Sequence, residues 1–172
     1  LFRSDYLDAH NYGVDIYVSD ETEQLLDTGG GIKRAASLFD QYQPVLIHNV
    51  DILSNVDLAA FYRYALETKA DALLLVSRRV TQRYLIFDSN MRLVGWTNVA
   101  TGEVKSPHAE IRQLHFVSPI EEDSSYYQSN CYLCAFSGIH VLAPSAVQTV
   151  EAVDKDKFPI MDFYLNNCDT LD

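Results

Sequence analysis

The feature that most constrains this chain is a pair of short, unbroken apolar runs with a helix-patterned segment between them. Val45-Leu46-Ile47 follows Pro44, and Ala72-Leu73-Leu74-Leu75-Val76 comes later. A strand with one wet face alternates apolar and polar residues, whereas an uninterrupted apolar run is typical of a strand covered on both faces. Between the runs, Leu58, Phe61, Tyr62, Ala65 and Leu66 recur at helical spacing and predict a helix from Asp57 to Thr68. Strand, helix, buried strand is the order of an α/β domain. The expected fold is Rossmann-like, with a mixed, mainly parallel sheet flanked by helices.

The rest of the pattern fits around that frame. Leu1 to Asn11 reads as the end of a helix stopped near Gly13, and the β-branched alternation of Val14 to Val18 reads as a strand. Ile32, Ala35, Ala36 and Phe39 predict a short helix after a polar loop. Tyr84–Phe87 and Leu93–Trp96 flank Asp88-Ser89-Asn90, which predicts an antiparallel hairpin inserted into the sheet. Residues 98–130 are loop-rich. Cys131–Gly138 and Ile139–Leu142 return to strand character, and helices are expected from Ser145 to Val153 and over Ile160–Asn167. The 172 residues suit one domain. The chain opens mid-pattern without an initiator Met, so residues 1–172 are read as a single catalytic-type domain incomplete at both ends.

Charge narrows the partners. The formal net charge is −11, and no Lys/Arg stripe interrupts it, which argues against nucleic acid and against an anionic membrane surface. No apolar run approaches the ~20 residues of a membrane span. Three cysteines, Cys131, Cys134 and Cys168, are too few and odd in number for a disulfide framework, so a reducing cytoplasm is expected. Cys131-x-x-Cys134 lies in a strand-like segment, where residues three apart face opposite sides, so the pair reads as buried structural thiols.

Two places could carry chemistry. Thr28-Gly29-Gly30-Gly31 precedes a helix, and glycines let backbone approach a ligand closely; the same residues also serve as an ordinary turn. Neither the P-loop pattern nor the dinucleotide fingerprint is present. Asp51 follows a buried strand by a few residues, where ligands of open α/β sheets bind, and a carboxylate there can hold Mg²⁺. Asn49 is a second polar contact on the same turn.

These segments resemble the sugar-1-phosphate nucleotidyltransferases, in particular the mannose-1-phosphate guanylyltransferase-like and N-acetylmuramate-1-phosphate uridylyltransferase-like enzymes. The similar blocks are Leu26–Ala35, Val45–Ile52, Phe136–Leu142 and Phe158–Leu165, in the family's order. The resemblance implies transfer of a nucleoside monophosphate from an NTP to a sugar 1-phosphate, with pyrophosphate released. It places the Thr28–Gly31 loop and Asn49 against the nucleotide, Asp51 on Mg²⁺ as the catalytic carboxylate, and Gly138 and Asp162 beside the sugar. The family's Gly-rich triphosphate loop and its later D-x-G aspartate are not matched here, which implies little turnover by residues 1–172 alone. A nucleotide-sugar-binding regulatory domain is the alternative, and a glycosyltransferase, lacking its D-x-D, ranks third. The hairpin edge is a candidate for pairing with a second copy.

Overall fold

The computed structural model describes residues 6–7, 9–10, 12–119 and 126–172. The expected helix end over 1–11 falls largely outside them. In chain order the elements are α1 (Asp27–Ala35), a 3₁₀ turn (Ala36–Leu38), β1 (Val45–His48), α2 (Leu58–Thr68), β2 (Ala72–Ser77), β3 (Arg83–Phe87), β4 (Leu93–Asn98), β5 (Glu103–Lys105), α3 (Ala109–Arg112), β6 (Tyr127–Gln128), β7 (Cys131–Leu142), α4 (Pro144–Glu151) and α5 (Ile160–Asn167).

The sheet corrects the mainly parallel expectation: every strand pairing among the described residues is antiparallel. The organiser is β7, a strand of 12 residues. Leu142 pairs with Val45 of β1 and also with Ala72 of β2, so these two strands lie on opposite edges of β7. Both run antiparallel to it. They therefore point the same way but never touch. The reason the sequence misled is physical. An unbroken apolar run reports burial of both faces and says nothing of a neighbour's direction, and the long strand that separates the runs arrives from far along the chain.

The N-terminal half of β7 carries β3 and β6, with Leu85 opposite Cys134 and Tyr127 opposite Tyr132. β3 and β4 form the expected hairpin. The Asp88 carboxylate closes its turn by accepting from the backbone N–H groups of Asn90 and Arg92, both at 2.9 Å. β3 is buried on both faces with a period of two: Tyr84 and Ile86 join Phe116, Leu133 and Tyr126 in one core, and Leu85 and Phe87 join Cys134 in another.

A third core lies where α1, α4 and α5 cover the C-terminal end of β7, built from Ile32, Leu142, Ala146, Val150, Phe163 and Tyr164 among others. Here β7 buries a polar side chain, His140, only 2% exposed, whose Nδ1 is hydrogen-bonded to the Tyr164 hydroxyl. Burial lowers the imidazole pKa to about 4 and pushes the Tyr164 phenol above its usual value.

Three further expectations change. Val14–Val18 is not a strand, and Val14, Ile16, Tyr17 and Val18 are all exposed. Alternation favours a strand only where an edge is there to pair with. The segment Thr28–Gly31 is not a loop either, since α1 already begins at Asp27. Ser145 does not cap α4; its hydroxyl is bonded instead to the Asp71 carboxylate.

Candidate functional site

The glycine segment has a packing reason for its composition. A Cβ at Gly30 would stand 2.1 Å from the Asp156 carbonyl oxygen, and one at Gly29 would stand 2.4 Å from the Phe158 ring. The start of α1 thus lies directly against 156–158. The N–H groups of Gly29 and Gly30 both donate to Phe158 O, at 2.9 and 3.2 Å, and Phe158 N–H donates back to Leu26 O. Thr28 Oγ1 accepts from Ile160 N–H at 3.0 Å and so caps the first turn of α5. These two glycines and the threonine hydroxyl are engaged within the protein. Gly31 lies on the other side of α1. Together with Thr28, Ile32, Phe39 and Val45–Ile47 it lines an open apolar groove of 710 Å³ along β1.

The turn after β1 is held from beneath by β7. Asn49 N–H donates to Gly138 O at 3.0 Å, and Ile52 N–H donates to Asn49 O. Gly138 has φ +70, and a Cβ there would meet Ile52 Cγ1 at 3.0 Å and Asn49 Nδ2 at 3.1 Å. Glycine is required twice over at this point, for the left-handed backbone and for the closeness of the turn. The space above Gly138 is occupied by Asn49 and Ile52. Asp51 stands exposed at the tip of this turn, with no ion pair or hydrogen bond among the described residues.

A third feature was missed by sequence reasoning. Arg79, Thr81, Arg83, Trp96, Lys105, Phe136 and Asp162 line a cavity of 440 Å³ between the hairpin and the first turn of α5. Trp96 is the sole tryptophan of the chain. Lys105 Nζ lies 5.2 Å from the centre of its ring, close enough for a cation–π contact, and 3.6 Å from Glu103. Arg79 and Arg83 are exposed and form no ion pair among the described residues. Three cations gathered at one cavity stand out against a net charge of −11. The signal in the sequence was the paired cations Arg78-Arg79 immediately beyond the carboxyl end of β2. Of the expected residues, Asp162 belongs to this cavity, Thr28 and Gly31 to the groove, and Asn49 and Asp51 to the turn; Gly138 supports the turn from below.

The cysteines are free: Cys131 and Cys134 are buried in β7, and burial raises both thiols above their usual pKa. Among the described residues, no helix is long and apolar enough to cross a membrane.

No family model matches the chain, and no curated protein matches it. Several solved structures share its shape, and two of them are structures of one protein. One is HddC from Yersinia pseudotuberculosis, at 16% identity and a TM-score of 0.55; the other is HddC complexed with GMP-PN, at 15% identity and the same TM-score. Each match covers 92% of this chain and 57% of HddC, so the chain spans a little over half of that protein's length. At such identity the likeness shows the fold alone. The resemblance to sugar-1-phosphate nucleotidyltransferases drawn from four sequence blocks is corrected by these findings: no family model supports it, the shared shape is that of HddC, and the sheet is antiparallel where a mainly parallel one was implied. Two of those blocks owe their glycines to local packing, at Gly29–Gly30 and at Gly138, and packing of that kind is no mark of one family.

Proposed function

We propose that this chain is the ligand-holding part of an enzyme of phosphate chemistry, one that binds a nucleotide and a sugar phosphate and transfers a nucleoside monophosphate from the first to the second. The reading rests on the chemistry of the site. The observation that carries it is the cavity of Arg79, Arg83, Lys105 and Trp96, since guanidinium and ammonium groups bind phosphate oxygens and an indole face packs on a sugar ring or a base. The complex of HddC with GMP-PN supports a nucleotide for the second ligand.

The sugar phosphate occupies the cationic cavity, its phosphate on Arg79 and Arg83 and its hydroxyls toward Asp162. The nucleotide lies along the groove past Thr28 and Gly31, its phosphates toward Asn49 and Asp51. Asp51 fits Mg²⁺: one free, exposed carboxylate supplemented by phosphate oxygens and water is a usual donor set for that ion. When bound, the ion neutralises phosphate charge. An oxygen of the sugar phosphate attacks the α-phosphorus, a new P–O bond forms, the bond to the β-phosphate breaks, and pyrophosphate leaves. Positioning and charge neutralisation carry such a step, so no nucleophilic side chain is needed. The second reading is a nucleotide-sugar-binding regulatory domain. It is favoured by Asp51, which joins no group of three metal-ligating side chains among the described residues.

The intrinsic fluorescence of Trp96 tests the proposal. A hexose 1-phosphate is expected to change it saturably, and Arg79→Ala with Arg83→Ala is expected to weaken that response about tenfold or more, the loss of charged hydrogen bonds at a phosphate. An unchanged response in the double variant would refute the cavity. Pyrophosphate release by the full-length protein with NTP, sugar 1-phosphate and Mg²⁺, lost in Asp51→Asn, separates the enzyme from the regulatory domain.

A further inference from the structure

Away from the cavity and the turn, three side chains from two distant stretches of sequence converge. His108 ends the loop before α3, and Cys168 and Asp169 follow the last turn of α5. His108 Nε2 lies 3.0 Å from an Asp169 carboxylate oxygen. With the Cys168 sulfur included, the three donor atoms lie within 4.8 Å of one another. In a tetrahedral site with metal–ligand distances of about 2.0–2.3 Å, donors stand roughly 3.3–3.8 Å apart. The His–Asp pair is already at about that spacing, and the thiol, which donates to Leu165 O at 3.4 Å, lies within 4.8 Å of both.

We propose that His108, Cys168 and Asp169 form a binding site for a divalent transition-metal ion, with Zn²⁺ the best match and water in the fourth position. The donor set selects the ion. Imidazole and thiolate are ligands of Zn²⁺ and its neighbours, whereas Mg²⁺ and Ca²⁺ take oxygen. The surroundings agree. Cys168 caps the carbonyl end of α5, where the helix favours positive charge. The nearby cation, Arg92, is already engaged by the Asp172 carboxylate and by Leu171 O. The His108 and Asp169 side chains are 31% and 53% exposed, which gives an ion a path from solvent. Burial pushes the Cys168 thiol above its usual pKa, with the Asp169 charge adding to that effect. On binding, the S–H bond breaks, the proton leaves to solvent, and the sulfur pair forms the metal bond. Neutral imidazole, thiolate and carboxylate together balance the charge of the ion. The bound ion would tie the loop before α3 to the end of α5.

Titrating Co²⁺ alone into the chain tests this, because a thiolate ligand gives cobalt a sulfur-to-metal charge-transfer band. One equivalent of ion is expected to produce the band, and Zn²⁺ is expected to bleach it. Cys168→Ser should abolish it. His108→Ala and Asp169→Asn should each weaken affinity about tenfold or more, at least what loss of an outer-shell partner costs. Asp169→Asn is nearly isosteric at a half-exposed position, so it keeps the test valid if Cys168→Ser fails to fold, as judged by circular dichroism. Absence of the band in the folded chain, or a band that survives both Cys168→Ser and Asp169→Asn, would overturn the proposal.

Discussion

Helices α2 and α5 read alike in the sequence and behave differently in the molecule. α5 buries Ile160, Phe163, Tyr164 and Leu165 out of eight residues and closes a core with α1 and α4. α2 has eleven residues with apolar positions at the same spacing, yet buries only Ala65 and leaves Leu58 and Leu66 more than a third exposed. β1 shows the same contrast with β7, being half-buried along its whole length and paired on one edge only among the described residues. Amphipathic spacing thus states what a helix is able to bury. Whether it does so depends on what stands opposite, and on the α5 side the opposing surface is complete.

The sharpest way to break this comparison is to remove side chains from each half. Leu142→Ala, in the packed core, is expected to cost about 3–5 kcal/mol in urea unfolding, whereas Leu66→Ala on α2 is expected to cost under about 1. Equal losses would mean α2 is as well packed as α5.

Acid is the next lever. The folded-state pKa of His140 is depressed to about 4 from an ordinary 6.5, so the unfolded chain binds the extra proton first. The contribution is fully present above pH 6.5 and is lost as the pH falls through the interval down to 4, amounting to about 3 kcal/mol. Tyr164→Phe removes the hydrogen-bond partner but leaves the apolar burial that causes the shift, so much of the acid sensitivity should survive it. A flat stability profile between pH 4 and 6.5 would show that His140 is open to water.

Gly30→Ala should cost about 2 kcal/mol or more by forcing α1 away from the Asp156 carbonyl. Gly31→Ala, which meets only the Glu21 carboxylate, should cost less than half of that. Asp57→Ala is expected to cost only about 1 kcal/mol, because the Asp57 carboxylate caps α2 by accepting from Ala60 N–H at 2.9 Å. A loss at Asp57 as large as that at Gly30 would contradict the view that α2 is lightly attached.

Much of the element order was legible, and the pairing was not. The hairpin at Asp88, the run of α5 and the strand at Val45 followed from local chemistry: turn residues, helical period, unbroken apolar residues. Strand direction did not, because the partner of both Val45 and Ala72 is Leu142, and no local pattern encodes a contact across so much chain. In the site, Asp51 was legible as an acid beyond a strand end. Gly29 and Gly30 were taken for ligand contacts, although their neighbours are Phe158 and Asp156, invisible until the chain folds back. Arg79, Arg83, Trp96 and Lys105 are scattered over three strands and one loop, and only the hairpin register gathers them, with Trp96 opposite Lys105.

The position of β7 in the chain also sets the order in which the protein can be made. Among the described residues β1 and β2 pair with no strand except β7, which ends at Leu142. During synthesis both strands leave the ribosome with bare edges and wait for a segment translated well after them. The hairpin of β3 and β4 closes at once, but the sheet as a whole cannot. Many of its contacts link residues far apart in sequence, which slows folding and lengthens the time that Val45–Ile47 and Leu73–Val76 are open to other chains. In the cell, yield of this polypeptide should therefore respond to translation speed and to chaperones that hold extended apolar segments.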